Sequence, residues 1–310
     1  MLNILVTGGA GFVGSTLVPT LLEKGYKVRV FDNLMYGGDS LIPCFKYDTF
    51  EVIIGDIRNR DEVKVALKGI DIIIHLAAIV GFPACKKAPD LAQTVNVDGT
   101  KLLNNMRSKG QLLIFASTGS NYGDLENVLC TEETKLNPIT EYGLTKTKAE
   151  QYLMDRDNVI AYRFATAFGL SPRLRLDLLI NDFVYQALKN KNLILYEKHF
   201  MRSFIEVRDM ARSFHFAIEN ADKMINNVYN VGDESMNFSK EDIALAIKKK
   251  IDFYLHFAEI GEDLDKRNYY VSYEKINKSG FKTVISLEKG LNDLIRGLKI
   301  IVIANKYSNV

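Results

Sequence analysis

Apolar residues along this chain gather in short unbroken runs, and longer amphipathic stretches separate them. Asn3-Ile4-Leu5-Val6 and residues 27–31, 51–54, 71–75, 112–116 and 159–164 each read as a strand that does not alternate polar with apolar. Helical patterns lie between them, from residue 14 to Gly25 and over residues 61–67, 91–108 and 141–154. Strands that are apolar on both faces and alternate with helices predict an α/β fold, a doubly wound parallel sheet covered on both sides. The pattern loosens after Phe168-Gly169. Residues 178–189 and 209–219 are expected as helices, 193–196, 202–207 and 228–231 as strands, and the remainder as a mixture.

The first strand runs into Thr7-Gly8-Gly9-Ala10-Gly11-Phe12-Val13-Gly14, and the second ends on Asp32. Strand, glycine turn, helix, strand and terminal carboxylate describe the opening of a Rossmann dinucleotide-binding unit, here with G-x-x-G-x-x-G spacing. Gly8 permits the tight turn and Gly11 lets the backbone approach a pyrophosphate. Gly14 allows close helix packing, and the N–H groups at the helix start attract phosphate charge. Asp32 would accept hydrogen bonds from the adenosine ribose and disfavour a 2′-phosphate, which selects NAD over NADP. The expected division is an NAD-binding Rossmann domain of residues 1–168 and 203–231, with a smaller α/β substrate-binding lobe of residues 169–202 and 232–310.

Composition narrows the partners. With 310 residues, 47% hydrophobic content and a net charge of +2, the chain can bury a large core and gives no sign of a nucleic-acid or membrane surface. The basic run Lys248-Lys249-Lys250 reads as a solvated helix face. No apolar segment reaches bilayer length; the nearest, residues 298–304, is far too short. Cys44, Cys85 and Cys130 are scattered without metal or redox spacing, which fits a reducing cytoplasm. The four histidines form no ligand-spaced pair, so no metal site is expected. His75, inside an apolar strand, reads as a packed, hydrogen-bonded core residue.

Candidate chemistry lies on the helix at residues 141–154. Tyr142 and Lys146 are four apart and share a face, separated by roughly 6 Å of rise. A tyrosine pKa of about 10 is too high for a base at neutral pH, but a neighbouring ammonium and a nicotinamide cation would lower it. Thr118 offers a hydroxyl where the fifth strand ends. Together the three form a plausible alcohol-oxidising set. No G-x-S-x-G elbow accompanies Ser117 or Ser120, which argues against hydrolysis.

These motifs, with Gly55-Asp56, His75-Leu76-Ala77-Ala78, Asn96-Val97-Asp98-Gly99-Thr100, Arg163-Phe164, Phe168-Gly169 and Arg202-Ser203-Phe204-Ile205-Glu206-Val207-Arg208-Asp209, form an ordered set. In that order they resemble the extended short-chain dehydrogenase/reductase family, the NAD-dependent nucleotide-sugar epimerases and dehydratases. The resemblance implies that Phe12, Val13, Asn33, Asp56, Ile57, Leu76, Ala77, Ala78 and Asn96 join Gly8, Gly11, Asp32 and Lys146 around the cofactor. It also implies that Arg173, Asn181, Arg202 and Arg267 serve the sugar nucleotide, and that the chain forms a homodimer through the helices containing Asn96 and Tyr142. Family 4,6-dehydratases carry an Asp-Glu pair after the catalytic threonine. Gly119 and Ser120 stand there in this chain, so dehydration is not expected. Segments such as Val80-Gly81-Phe82-Pro83-Ala84-Cys85-Lys86 and Ser171-Pro172-Arg173-Leu174-Arg175 look similar to the GDP-heptose 4-dehydrogenase type. The implied activity is NAD-dependent oxidation at C4 of a nucleotide-linked sugar, as a 4-dehydrogenase or a 4-epimerase in surface glycan precursor synthesis. A non-catalytic NAD-binding sensor on the same fold is the alternative.

Overall fold

The computed structural model describes residues 1–259, 268–301 and 308–309. Seven parallel strands form the central sheet. They are β1 (Asn3–Thr7), β2 (Lys27–Asp32), β3 (Phe50–Ile54), β4 (Ile72–His75), β5 (Leu112–Thr118), β7 (Val159–Phe164) and β11 (Asn227–Val231), in the order β11-β7-β5-β4-β1-β2-β3. The order reverses at β1, and the crevice beyond the strand ends at such a reversal is where ligands bind in open α/β sheets.

Alternation within each strand explains why the runs had to be apolar throughout. Ile4 and Val6 of β1, Ile72 and Ile74 of β4, and Leu112 and Ile114 of β5 enter one core. Leu5, Ile73, Leu113 and Phe115 enter the other. The first core is closed by α1 (Gly14–Glu23) and α8 (Val207–Glu219), through Leu17, Leu21, Met210 and Phe214. The second is closed by α2 (Arg60–Leu67), α5 (Thr100–Met106) and α6 (Glu141–Met154), through Val63, Leu103 and Leu153. Ahead of α5, α3 (Phe82–Lys87) and α4 (Pro89–Ala92) lead into a π-helical turn, Gln93–Gly99. The continuous helix expected over 91–108 is thus interrupted by a widened turn around Asn96.

A third core gathers Phe168 and Phe204 with α7 (Leu179–Lys189), α10 (Lys240–Lys248) and α12 (Leu287–Leu298). Short strands surround it. β8 (Thr166–Phe168), β10 (Met201–Glu206) and β12 (Asn237–Ser239) form one small sheet, and β9 (Asn192–Leu195) pairs with β13 (Tyr254–Phe257). β6 (Asp124–Cys130) pairs in parallel with β14 (Asn268–Val271), which brings Tyr269 towards the end of β5. Two shorter helices, α9 (Ala221–Met224) and α11 (Glu274–Lys278), complete the α-helices among the described residues. Among the described residues no helix is long and apolar enough to cross a membrane.

Two buried polar networks hold the site's framework. In the first, the Arg163 guanidinium of β7 pairs with Glu150 of α6 at 2.6 Å, and both side chains are under 10% exposed. Glu150 also accepts hydrogen bonds from Ser117 (2.5 Å) and Asn121 (3.0 Å), while Arg163 donates to Tyr122 Oη (3.1 Å) and the Glu132 carbonyl (3.0 Å). The pair fastens α6 to β5 and β7. In the second, His75 Nε2 lies 2.9 Å from Thr100 Oγ1, and Nδ1 lies 2.7 Å from Thr7 Oγ1. Thr100 Oγ1 donates its proton to the Asn96 carbonyl (2.7 Å), so it accepts from Nε2–H, and Nδ1 accepts from Thr7. Thr7 Oγ1 in turn accepts from the Ala77 N–H (3.2 Å). Burial and the Lys146 charge lower the His75 pKa from 6.5 to about 3.

Replacing Glu150 with Leu leaves the Arg163 charge buried and unpaired. The expected loss of unfolding free energy is about 3–5 kcal/mol in chemical denaturation, and a loss under about 1 kcal/mol would contradict the network's role. His75 gives a pH signature. Between its unfolded value of 6.5 and its folded value of about 3, the unfolded chain binds a proton that the native protein does not. Stability therefore falls as pH drops, and His75 contributes about 1 kcal/mol of loss between pH 6 and 5. Unfolding curves of wild type and His75→Gln should differ by that slope; parallel pH dependences would reject the assignment.

Candidate active site

A cavity of about 270 Å³ opens beyond the ends of β1, β2, β4 and β5. Its floor is the turn between β1 and α1, made of Gly8, Ala10, Gly11, Phe12, Val13 and Gly14. Gly8 adopts φ +71°, and a Cβ there would lie 2.7 Å from the Ala77 nitrogen. At Gly14 a Cβ would lie 2.6 Å from the Gly8 carbonyl oxygen, so this helix start packs on the turn itself. No side chain caps α1, and Gly14 at its start lines the cavity.

Beyond the floor lies the β2 end. Asp32 Oδ2 accepts from the Ala10 N–H (3.0 Å) and Oδ1 from the Leu34 N–H (2.8 Å). Burial raises the Asp32 pKa; the two N–H groups and the Arg173 charge pull it back. Asn33 lines the cavity beside it, as do Asp56 and Ile57 from the β3 end. Asp56 is held below its ordinary pKa by the Arg58 guanidinium, 2.6 Å away. Leu76, Ala77 and Ala78 form the wall continuing from β4.

Thr118, Tyr142 and Lys146 line this same cavity. Thr140 caps α6 by accepting from the Gly143 N–H (3.1 Å), and a Cβ at Gly143 would lie 2.9 Å from the Ser120 carbonyl oxygen. The helix start is thereby pressed against the end of β5, so Tyr142 and Thr118 share one wall. The Lys146 ammonium sits 3.9 Å from the Phe115 ring centroid, and burial lowers its pKa from 10.5 to about 7, against the pull of the Glu150 charge. Thr118 Oγ1 accepts from the Ser120 N–H (3.1 Å) and donates to Ser120 Oγ (3.1 Å).

Several residues expected around ligands lie elsewhere. Asn96 is not in the cavity wall: it accepts from the Ile79 N–H (2.8 Å) and donates to the Ile79 carbonyl (3.0 Å) and Thr145 Oγ1 (3.1 Å). It ties the β4 wall to α6. Asn181 also lies outside the wall, bonded to both Gly169 backbone groups and to the Arg175 carbonyl (2.9 Å). Arg202 is buried in β10 and is not among the residues lining the cavity; its Nη1 donates to the Met201 carbonyl (2.9 Å). Arg173 does line the cavity, whereas Arg267 lies outside the described residues. Ser120, Tyr36, Arg175 and Tyr269 join the wall without having been singled out as ligand-binding; their neighbours in sequence carry no periodic signal. Among the described residues no cluster could hold a metal ion.

The glycine cradle, the Asp32 carboxylate and the tyrosine-lysine wall fit a dinucleotide on one side and an alcohol on the other. Comparison with known proteins agrees. The NAD dependent epimerase/dehydratase family matches residues 4–232. The chain is 29% identical over 309 residues to a putative UDP-glucose 4-epimerase of Methanocaldococcus jannaschii, covering 96% of this chain and 98% of that protein. It is 30% identical over 273 residues to the CDP-paratose 2-epimerase of Salmonella typhi, covering 76% and 80%. Among solved structures it is similar to the UDP-glucuronic acid 4-epimerase of Bacillus cereus in complex with UDP-glucuronic acid and NAD. That match has a TM-score of 0.85 at 25% identity and covers 96% of this chain and 99% of that one. By motif, geometry and likeness together, the chain belongs to the NAD dependent epimerase/dehydratase family, with NAD as its cofactor.

Proposed function

We propose that this protein oxidises C4 of a nucleotide-linked sugar, as a 4-epimerase or a net 4-dehydrogenase. The observation that carries this reading is the shared cavity wall of Thr118, Tyr142 and Lys146, opposite the glycine turn. The cofactor would rest on Gly8, Gly11, Phe12 and Val13, with Asp32 on its adenosine ribose and Lys146 on its nicotinamide ribose. Bound NAD supplies a two-electron acceptor that either returns the hydride, completing an epimerisation, or keeps it, completing a dehydrogenation.

Tyr142, as phenolate, takes the proton of the C4 hydroxyl. Lys146 makes this phenolate accessible. A buried ammonium whose pKa has fallen to about 7 is poorly solvated, and an adjacent anion restores the missing stabilisation. When Lys146 carries its proton, its charge would lower the energy of a phenolate on the same helix. Thr118 would hold the substrate hydroxyl for transfer, its own oxygen fixed by Ser120. Gly119 and Ser120 offer no carboxyl group where a dehydratase needs one. The relatives named above carry UDP- or CDP-linked sugars in their descriptions, and the segments around Val80 and Ser171 support a GDP-linked heptose or hexose as substrate.

The test is a panel of GDP-, UDP-, dTDP- and CDP-sugars, followed by reduced-nicotinamide absorbance and product mass. Lasting reduction identifies a dehydrogenase and isomerisation without net reduction an epimerase. No change with any member would favour a cofactor-binding sensor. Tyr142→Phe should retain NAD binding and lose turnover by on the order of 10²–10⁴-fold, the range of general-base catalysis. Undiminished turnover would remove Tyr142 from the mechanism.

A further inference from the structure

Arg173 stands out among the cavity's cations. It is 4% exposed, yet its Nε and Nη2 have no hydrogen-bond partner; Nη1 reaches the Leu174 carbonyl at 3.4 Å. Leaving buried guanidinium donors unmade is costly, and the site that tolerates them is a site for an anionic acceptor. By contrast, Arg175, two residues on, is satisfied by Asp177 at 2.5 Å.

Its location identifies the acceptor. Ser171 Oγ donates to the Phe12 carbonyl (2.6 Å) and lies 2.8 Å from Ser15 Oγ, which also accepts from the Arg173 N–H (3.2 Å). The loop is thus stapled to the first turn of α1. The guanidinium carbon lies 4.3 Å from the Tyr36 ring centroid, with Asp32 among the charges acting on it. Tyr36 and Asp32 belong to the β2 end, where the cofactor's adenosine half lies in the proposed binding mode.

The geometry points to Arg173 as a clamp on the pyrophosphate of the dinucleotide, closing over the glycine turn from the opposite side. Backbone N–H groups hold the phosphates from below, and a planar guanidinium shelved on Tyr36 presents two further donors from above. The role rests on NAD binding by the family and is independent of which sugar is oxidised. It differs from the sugar-nucleotide role that the resemblance implies for this residue.

The experiment is calorimetric titration of Arg173→Met and Arg173→Lys with NAD⁺ and ADP-ribose, and of the NAD-saturated proteins with GDP and UDP. Arg173→Met should weaken NAD⁺ and ADP-ribose alike by about 10- to 100-fold, the loss expected for one charged hydrogen-bonding partner. Arg173→Lys should recover part of that, and nucleoside diphosphate affinity should stay within about twofold. Thermal melts separate this from a structural role. Ligand-free Arg173→Met should melt no lower than wild type, because it removes buried unmade donors, while its NAD-induced rise should shrink. Unchanged NAD⁺ and ADP-ribose affinities would overturn the clamp. So would a loss confined to GDP and UDP, or a lowered ligand-free melting temperature.

Discussion

The backbone of Gly8 lies against the backbone of Ala77, and no side chain could stand between them. That contact brings the first turn of the sheet to the end of the fourth strand, and the cavity floor and wall meet there. It is maintained from beneath: Thr7 accepts from the Ala77 N–H and gives its own proton to His75, which is anchored on Thr100. A neutral, buried histidine thus acts as a structural spacer for the cofactor floor. Gly143 repeats the device on the catalytic side, where α6 presses on the Ser120 carbonyl. Both halves of the site are brought together by close main-chain approach at a glycine.

Helix α6 shows how such a site departs from ordinary packing. It buries Thr145, Lys146, Thr147 and Glu150. Ala149 and Leu153 seat α6 in the second core, while its buried polar positions depend on pairing, which Thr147 Oγ1 alone among the four residues' side chains is shown to lack. Glu150 is paired with Arg163, and Thr145 with Asn96 and the helix's own carbonyls. Lys146 is buried and held over the Phe115 ring.

The central sheet was legible in the sequence because a strand buried on both faces has nowhere to place a polar residue. Runs such as Ile72-Ile73-Ile74 then announce themselves, and Asp32 marks where the second run ends. What escaped was set by distant partners. The pairing of β6 with β14 joins segments far apart in the chain, neither of which shows a strand pattern. The π turn around Asn96 widens a helix without altering its apolar spacing enough to notice. Asn96 and Asn181 carry the polarity of ligand-binding residues, yet their amides are taken up by backbone groups of Ile79, Gly169 and Arg175. The position of Arg173 follows from a Ser171–Ser15 contact across 156 residues, which no local pattern encodes.

That serine contact also has a mechanical meaning. The chain leaving the sheet for the third core is riveted to the base of α1 by Ser171, close to the cavity floor. A swing of the third core would be restrained where the chain passes this rivet. Arg173, whose backbone N–H also reaches Ser15, lies at that restrained point. Such a swing would leave the Arg173 side of the cavity almost still.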